Sequence, residues 1–314
     1  MSTPEGELRF DGRVAVVTGA GRGLGREYAL LLAARGAAVV VDNRSPEPAA
    51  AVVAEIEAAG GTAVACVADV GEKAGAQAPV ATAIERFGRV DILVNNAGIY
   101  QFGAFADYPD EVLRATIDSH FYGSWWATQA AWPQMVEQGF GRVVMIGSRV
   151  LIGMASNVAY GAAKGALLGL SNGLAVEGRP HGIQVNTLSV GGYTEGVEAN
   201  LADPAYRSWM AETLPAWAVA PSLAWLVHED CEASGEFFSA FGRGLSRLFL
   251  AETRGHMSAS DEAHTPEAIR DDFDAVVEEA GYFVAADNKA SAQYVSERLP
   301  GRSLEEHARA LDQA

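Results

Sequence analysis

Short runs of β-branched and other apolar residues alternate along this chain with longer, alanine-rich stretches, and this alternation constrains the fold more than any other feature. Strands that alternate with helices are typical of a parallel sheet whose crossover helices cover both faces. The sequence therefore predicts an α/β fold with a doubly wound parallel sheet of seven strands. The predicted strands cover residues 14–18, 37–42, 62–67, 91–95, 142–146, 183–188 and 236–241.

The chain of 314 residues is predicted to form one domain with an appendage. Residues 8–255 would make up the α/β domain, and residues 256–314 a helical C-terminal extension packed on that domain or on a partner subunit. The extension contains a helix start signal, Thr265-Pro266-Glu267, in which threonine caps the helix and proline takes its first position.

Charge and composition exclude several classes of partner. The net charge of −17 argues against nucleic acid and anionic membrane surfaces, because both are polyanions. Two cysteines give neither a disulfide framework nor a metal-ligand cluster. The sequence contains no run with the length of a membrane span and no signal peptide. We therefore expect a cytosolic enzyme that uses no metal and acts on a small molecule.

A glycine-rich turn joins the first predicted strand to the first predicted helix. Residues 18–25 read Thr-Gly-Ala-Gly-Arg-Gly-Leu-Gly. Glycines here allow a tight turn and bring backbone N–H groups close to a pyrophosphate, which then faces the N-terminus of the helix. The turn predicts a Rossmann-type dinucleotide site that includes Gly19, Gly21, Arg22, Gly23, Leu24 and Gly25.

Tyr160 and Lys164 are four residues apart on a predicted helix, so both lie on one of its faces. Lysine is otherwise rare, since only Lys73 and Lys289 accompany Lys164. A nearby ammonium favours the ionised form of a phenol and lowers its pKa. The pair is therefore a candidate for acid–base catalysis by tyrosine near neutral pH.

Several motifs follow one another as in a known family. The glycine turn, Asp69 after the third strand, Asn95-Asn96-Ala97-Gly98 after the fourth, Ser148 after the fifth and the Tyr160–Lys164 pair resemble the short-chain dehydrogenase/reductase family. Over residues 8–290 the chain is also similar to one branch, the (3R)-hydroxyacyl-CoA dehydrogenase domain of peroxisomal multifunctional β-oxidation enzymes. His120-Phe121-Tyr122-Gly123 is one of the segments that carry this similarity.

The resemblance implies an NAD(P)-dependent oxidoreductase that interconverts a secondary alcohol and a ketone. Tyr160 would exchange the proton, Lys164 would lower its pKa and hold the nicotinamide ribose, and Ser148 would stabilise the substrate oxygen. His120 replaces the relay asparagine of many members, as it does in the β-oxidation branch. The other implied cofactor contacts are Asp42, Asn43, Arg44, Asp69, Val70, Asn96, Ala97, Gly98, Tyr160, Lys164, Gly191 and Thr194.

Two positions depart from the family pattern. The catalytic serine usually lies one residue further from the tyrosine, where this chain has Gly147. We take Ser148 as the equivalent, because strand ends fix positions whereas loops absorb deletions, and Ser156 is a poor substitute. Val190 stands where the family usually has proline, so the loop over the nicotinamide is expected to differ in shape.

The sequence leaves the choice between NAD and NADP open. NAD-dependent members end the second strand with an acid that binds the ribose 2′-hydroxyl, and here Asn43 takes that position. Arg44 could accept a 2′-phosphate, which would mean NADP. Asp42 could instead bind the ribose and repel that phosphate.

The substrate also stays open between a bulky apolar alcohol or ketone and a 3-hydroxyacyl thioester. Between residues 191 and 217, Arg207 is the only cation, while Tyr193, Tyr206, Trp209 and Trp217 are aromatic. This composition favours an uncharged, apolar substrate.

One other function class is compatible with the motifs. The shifted Ser148 and the Val190 substitution suggest a catalytically silent, nucleotide-binding regulator of the same fold, although the intact Tyr160 and Lys164 speak against it. In either case we expect a homodimer or homotetramer.

Overall fold

A computed structural model describes residues 6–198, 201, 203–257 and 265–298 of the chain. The chain divides into two compact units, Met1–Leu248 and Phe249–Ala314. Among the described residues, no helix combines the length and apolar character needed to cross a bilayer.

One sheet forms the centre of the first unit. Its described strands are β1 Val14–Val17, β2 Ala38–Asn43, β3 Thr62–Val67, β4 Ile92–Asn95, β5 Gly141–Gly147, β6 Ile183–Gly191, β7 Phe237–Phe241 and β8 Gly244–Leu248. They lie in the order β3-β2-β1-β4-β5-β6-β7-β8. β1 to β7 are parallel, and β8 is antiparallel to β7. The strand order reverses between β1 and β4, which is where ligands bind in sheets of this type.

Helices cover both faces of this sheet. They are α1 Gly23–Ala34, α2 Pro46–Ala58, α3 Lys73–Phe87, α4 Asp110–Ile117, α5 Gly123–Gln138, α6 Val158–Gly178, α7 Glu195–Glu198, α8 Pro204–Thr213 and α9 Ala220–Val227. A turn of π-helix, Asp118–Tyr122, joins α4 to α5. Short 3₁₀ turns occur at Phe105–Asp107, Arg149–Ile152, Arg179–His181 and Ala216–Val219.

The apolar core forms two layers, one on each face of the sheet. Ala15 and Val17 of β1 belong to the layer that contains Tyr28 of α1, whereas Val14 and Val16 belong to the other layer. Successive residues of a strand point to opposite faces, so a strand buried on both faces needs a continuous apolar run. This is why β1 reads Val-Ala-Val-Val.

The doubly wound sheet confirms the predicted fold class, but seven strands was one too few. β8 adds an antiparallel edge strand that the prediction lacked. Its residues are largely exposed, so it has no continuous apolar run for a sequence pattern to detect. The segment between residues 191 and 214, to which no element was assigned from the sequence, contains the short helices α7 and α8.

The second unit contains the helices α10 Pro266–Asp271, α11 Phe273–Val277 and α12 Asn288–Ser296. The Thr265 side chain accepts a hydrogen bond from Ala268 N–H at 3.1 Å, which agrees with the predicted helix start. Two aromatic pairs stack within the unit, Phe249 with Tyr282 and Phe283 with Tyr294. The packing of the extension on the α/β domain or on a partner subunit stays a prediction.

Candidate active site

The glycine turn between β1 and α1 is packed so tightly that side chains would not fit. A Cβ at Gly19 would come within 2.9 Å of Ala97 Cα, and a Cβ at Gly25 within 2.4 Å of the Gly19 carbonyl oxygen. Gly19 and Gly23 also have φ angles of 63° and 55°. Residues with a Cβ rarely adopt this conformation, so the shape of the turn depends on glycine.

The N-terminus of α1 opens directly from this turn. Arg22, at the N-cap, makes no capping hydrogen bond, and the first turn of α1 has no acidic side chain. The first N–H groups of a helix lack intrahelical partners and attract anions. This helix end is therefore suited to a phosphate group.

The segment after β4 braces the glycine turn. The Asn96 side-chain amide donates to the carbonyl oxygens of Thr18 and Gly19 at 2.9 and 3.2 Å. Thr18 Oγ1 in turn accepts from the backbone N–H groups of Asn96 and Ala97, both at 3.0 Å. Gly98 lies against the His120 ring, where a Cβ would come within 1.9 Å of Cε1. This motif therefore has a structural function as well as a place in the cleft.

A cleft of about 610 Å³ follows the carboxyl ends of the strands. It collects most of the residues predicted from the sequence. These are Gly19, Arg22, Gly23, Leu24, Gly25, Asp42, Asn43, Arg44, Asp69, Val70, Asn96, Ala97, Gly98, Ser148, Tyr160 and Thr194. Gly21, His120, Lys164 and Gly191 do not line the cleft and lie behind its walls.

Asp42 is a buried acid near the end of β2, with 1% of its surface exposed. Its Oδ2 accepts from Gly19 N–H at 3.3 Å, while Oδ1 has no hydrogen-bond partner among the described residues. Burial raises the pKa of Asp42 to about 7, against the effect of the Gly19 hydrogen bond. A buried acceptor without a partner costs about 1–3 kcal/mol. Oδ1 is therefore suited to accept a hydrogen bond from a ligand in the cleft.

Three other predicted residues lie at the Asp42 end of the cleft. Asn43 packs against Gly21, where a Cβ would come within 2.7 Å of Asn43 Cγ. Arg44 Nη1 is 3.9 Å from Asp69 Oδ2, and both side chains are largely exposed. The guanidinium is therefore already close to a carboxylate, although an exposed pair of this kind contributes only about 0–1 kcal/mol.

The segment after β6 closes over the glycine turn. Thr194 Cγ2 would be 3.3 Å from a Cβ on Gly23. Val190 continues β6 and pairs with Ala240 of β7, and a Cβ at Gly191 would come within 2.1 Å of the Phe241 ring. Where many family members break this strand with proline, here β6 extends through Gly191.

Tyr160 and Ser148 meet at the other end of the cleft. Ser148 directly follows β5 and Tyr160 lies in the first turn of α6. Both side chains line the cleft, and the Ser148 hydroxyl is close enough to the phenol to lower its pKa. Ser148 Oγ also accepts from Val150 N–H at 3.2 Å. Ser156 is exposed and has a φ angle of 62°. The contact with Tyr160 favours Ser148 as the serine of the site.

Lys164 is buried behind Tyr160, with 3% of its surface exposed. Its ammonium donates to the Ile146 carbonyl and lies 5.4 Å from the centroid of the Tyr160 ring. Burial raises the pKa of Tyr160 to about 12, partly offset by the nearby Ser148 hydroxyl, and burial lowers the pKa of Lys164 to about 7. The sequence had led us to expect a lowered tyrosine pKa. In the folded protein desolvation dominates, because it disfavours both the phenolate and the ammonium.

His120 lies in the π-helical turn, with its ring 5.3 Å from that of Tyr160. Nε2 is 2.8 Å from the Ile99 carbonyl oxygen. A carbonyl only accepts, so Nε2 carries the proton, and Nδ1 is a buried acceptor without a partner among the described residues. Burial, together with the charge of Lys164, holds the pKa of His120 well below its usual range. His120 is therefore neutral.

Tyr100 also lines the cleft, although it was not among the residues predicted from the sequence. Its ring centroid is 4.8 Å from that of Tyr160. Tyr100 follows the Asn95–Gly98 motif at the carboxyl end of a parallel strand. That position is a signal that could have identified it.

Two arginines that follow strands at the carboxyl edge of the sheet, Arg149 after β5 and Arg243 after β7, were also not predicted from the sequence. Arg149 Cζ lies 4.4 Å from the centroid of the Phe241 ring, and Arg243 Cζ lies 5.7 Å from that of Trp217. Arg149 could have been noticed because it follows Ser148. Arg243 could not, since it is brought near only by the turn between β7 and β8.

Comparison with known proteins identifies the family. The family model described as short chain dehydrogenase matches residues 13–204. This chain belongs to the short chain dehydrogenase family. Membership makes it an oxidoreductase that acts on CH–OH groups and uses NAD or NADP.

Three relatives illustrate the similarity. Peroxisomal multifunctional enzyme type 2 of Drosophila melanogaster is 39% identical over 283 residues, which cover 86% of this chain and 46% of that protein. Its full-length structure matches with a TM-score of 0.78 and 36% identity, covering 95% of this chain and 51% of that one. The chain therefore spans about half the length of this relative, and the similarity confirms the resemblance to the multifunctional branch.

The other two relatives were solved with cofactor. A 7α-hydroxysteroid dehydrogenase complexed with NADH and 7-oxo glycochenodeoxycholic acid has a TM-score of 0.71 and 28% identity, covering 77% of this chain and 98% of that one. A short chain dehydrogenase from Burkholderia cenocepacia J2315, in complex with NADP, has a TM-score of 0.67 and 34% identity, covering 74% and 98%. Neither comparison favours a silent regulator.

The comparisons contradict one expectation, that of a cytosolic enzyme. Five similar multifunctional proteins, from an insect, a mammal, two fungi and a slime mould, are all named peroxisomal. The expectation was wrong because it rested on the lack of recognised targeting signals in the sequence.

The residues of the cleft fit a nicotinamide dinucleotide. The glycine turn leaves no room for a Cβ where a pyrophosphate approaches, and the N-terminus of α1 is uncapped. At one end, Asp42 Oδ1 is a buried acceptor without a partner among the described residues. Ser148 and Tyr160 lie at the other end, so the nicotinamide ring of a bound dinucleotide would lie next to these two side chains.

Proposed function

We propose that this short chain dehydrogenase interconverts a 3-hydroxyacyl thioester and the corresponding 3-oxoacyl thioester, with NAD as its preferred cofactor. The observation that carries the proposal is that Ser148 and Tyr160 lie close together in the lining of a cleft shaped for a dinucleotide. The similarity to multifunctional enzymes type 2 supports the substrate class.

In this proposal Tyr160 is the acid and base of the reaction. With its pKa raised to about 12, the phenol keeps its proton at neutral pH and donates it to a keto oxygen. Ser148 Oγ donates a second hydrogen bond to the same oxygen and stabilises the developing negative charge. The bound nicotinamide supplies or accepts the hydride.

Lys164 and His120 support Tyr160 in different ways. A phenolate formed at Tyr160 would favour the protonated form of Lys164, whose pKa burial lowers to about 7, so the pair titrates as a unit. His120 is neutral, and its ring packs against that of Tyr160 at 5.3 Å. We assign His120 the role of orienting the phenol.

The preference for NAD rests on Asp42. Its partnerless Oδ1 would accept a hydrogen bond from a ribose hydroxyl, and its carboxylate would repel a 2′-phosphate. Arg44, the residue that could bind such a phosphate, lies 3.9 Å from the Asp69 carboxylate. Both features support NAD over NADP.

A phosphate-bearing thioester such as acyl-CoA needs cations near the substrate. Arg149 and Arg243 supply them at the carboxyl edge of the sheet, and each is stacked on an aromatic ring. The composition of residues 191–217 alone favoured an uncharged substrate. These two arginines come from outside that segment, and their positive charge favours a phosphate-bearing substrate instead.

We also propose that the protein forms a homodimer through α6. Val158, Ala162, Gly169, Gly173 and Val176 are exposed and recur at helical spacing, so they form one apolar face. Cβ atoms added at both glycines would meet nothing within 4 Å among the described residues. A soluble protein rarely leaves such a face uncovered, and the same face of a second copy would pair with it about a two-fold axis.

The deciding experiment is turnover of a 3-hydroxyacyl-CoA with NAD, followed by absorbance of the reduced nicotinamide. Tyr160→Phe should reduce kcat by at least about a hundredfold, because it removes the proton donor while keeping the ring. The Kd for NADH should stay within a few-fold, because Phe fills the same space.

The outcome separates the two function classes. Full activity in Tyr160→Phe would disprove the assigned chemistry. Binding of NADH without turnover of any thioester, alcohol or ketone by the wild-type protein would instead favour the silent regulator.

A further inference from the structure

An aromatic wall stands beside the reacting residues. Tyr100 lines the cleft, with its ring centroid 4.8 Å from that of Tyr160 and the planes at 74°. Phe102 packs on Tyr100 at 4.9 Å with the planes at 69°. Both contacts are edge-to-face pairs, the arrangement that aromatic rings favour.

Contacts at both ends fix the segment that carries this wall. The Ile99 carbonyl lies 2.8 Å from His120 Nε2, and Gly103 N–H donates to the Ser156 carbonyl at 2.9 Å. Tyr108 packs so closely on Gly103 that a Cβ there would come within 2.5 Å of Tyr108 Cδ2. The wall is therefore a defined surface and not a freely moving loop.

Apolar side chains line the cleft together with Tyr100, Ser148 and Tyr160. They belong to Ile99, Val150 and Val190. Val150 lies next to Ser148 through its hydrogen bond to Oγ, and Val190 lies at the end of the neighbouring strand. A substituent on the reacting carbon would therefore meet apolar and aromatic surface.

We propose that Tyr100 selects substrates that carry a flat aryl group on the carbon bearing the hydroxyl or keto group. This inference rests on the proposed function and specifies the acyl part of its substrate. The reacting oxygen must lie at the Tyr160 hydroxyl, and Tyr100 contacts the Tyr160 ring, so a substituent of that carbon lies against Tyr100. Contact between two aromatic rings favours aryl over saturated rings by about three- to tenfold.

A pair of substrates that differ only in ring saturation tests this selection. The probes are the N-acetylcysteamine thioesters of 3-oxo-3-phenylpropanoate and 3-cyclohexyl-3-oxopropanoate, reduced with NADH or NADPH. The wild-type protein should show a kcat/KM at least about threefold higher for the phenyl compound. Tyr100→Leu should bring the ratio close to one, because leucine keeps an apolar wall without the ring.

Two further variants distinguish the effect of the Tyr100 ring on substrate preference from the effect of the residues around it. Tyr100→Phe keeps the ring and should keep the preference for the phenyl probe. Phe102→Leu, which alters the residue behind the wall, should reduce the preference less than Tyr100→Leu does. A wild-type ratio near one, or a ratio unchanged in Tyr100→Leu, overturns the proposal while the dehydrogenase function stands. Reduction of neither probe, nor of a linear 3-oxoacyl thioester, counts against the proposed function itself.

Discussion

Burial determines the protonation of Tyr160, Lys164 and Asp42. Tyr160 keeps its proton to about pH 12, while Lys164 and Asp42 titrate near pH 7 because the protein interior disfavours their charged forms. Asp42 and Lys164 therefore change charge within the physiological range. Asp42 lies at one end of the cleft and Lys164 lies behind Tyr160 at the other, so we expect pH to act separately on cofactor choice and on proton transfer.

We expect Asp42 to make the proposed cofactor preference depend on pH. Its raised pKa means that the carboxylate exists mainly above about pH 7, and only the carboxylate repels a 2′-phosphate. The affinity for NADH relative to NADPH should therefore fall as the pH is lowered from about 8 to about 6, by roughly tenfold. Fluorescence titrations with both cofactors at each pH measure this ratio.

Asp42→Asn is the matched control for this prediction, because asparagine has the same size and no charge. In this variant the affinity for NADH relative to NADPH should be low and nearly independent of pH, apart from the titration of the 2′-phosphate itself. A wild-type ratio that equals the ratio of the Asp42→Asn variant at every pH would show that Asp42 does not select the cofactor.

At the scale of elements, the hairpin of β7 and β8 places the positive charge of Arg243 at the carboxyl edge of the sheet, against the Trp217 ring. Gly242 N–H, in its turn, donates to the Gly191 carbonyl at 3.3 Å, and a Cβ at Gly242 would come within 3.0 Å of Leu214. The turn therefore packs against the last residue of β6 and the residue that follows α8. This packing brings Arg243 to Trp217, from a part of the chain that the sequence does not connect with the site.

Arg149 and Arg243 should recognise the coenzyme A part of the thioester and not its acyl group. In the double variant Arg149→Gln with Arg243→Gln, we expect KM for an acyl-CoA to rise about tenfold, since charge-assisted contacts to phosphate are lost. KM for the same acyl group on N-acetylcysteamine, which has no phosphate, should stay within about twofold. Steady-state kinetics with the two thioesters provide the comparison.

Arg86→Gln serves as the charge control, because Arg86 lies in the last turn of α3, at the opposite edge of the sheet. It should change neither KM. Equal increases of both KM values in the double variant would indicate a general disturbance of the site. The proposal that the two arginines bind the coenzyme A phosphates would then be wrong.

At the scale of the whole molecule, the two apolar layers account for both faces of the sheet but not for the outer face of α6. Gly165, Gly169 and Gly173 follow one another at intervals of four residues, with Val158 and Val176 beyond them. Glycine inside a helix costs about 1 kcal/mol relative to alanine, so three on one face are unfavourable unless close packing against another surface offsets the cost.

Gly169→Arg tests whether a second copy supplies that surface. Arginine has a higher helix propensity than glycine, and a Cβ at Gly169 meets no described atom within 4 Å, so the monomer fold should tolerate the change. Light scattering should show a dimer or tetramer for the wild-type protein and a species of half the mass for the variant. An unchanged far-UV spectrum excludes unfolding, and an unchanged mass rules out this face as the interface.

Much of this architecture could be predicted because the signals are local. A strand buried on both faces needs a continuous apolar run, and a turn that approaches a phosphate needs glycine. The strands β1 to β7 and the turn Gly19–Gly25 can therefore be identified from the sequence. β8 was missed because an exposed edge strand needs no such run. Tyr100 and Arg149 follow recognised motifs and were within reach, whereas the contact of Arg243 with Trp217 depends on long-range packing.

The sequence by itself determined the fold class, the dinucleotide turn and the Tyr160–Lys164 pair, because each depends on spacing along a single element or turn. Only the tertiary structure decided the contact of Ser148 with Tyr160, the raised pKa of that tyrosine and the lowered pKa of Lys164. Proximity along a helix suggested that the ammonium would lower the phenol pKa. Desolvation has the larger effect, and it depends on everything that surrounds the pair, which spacing in a sequence does not reveal.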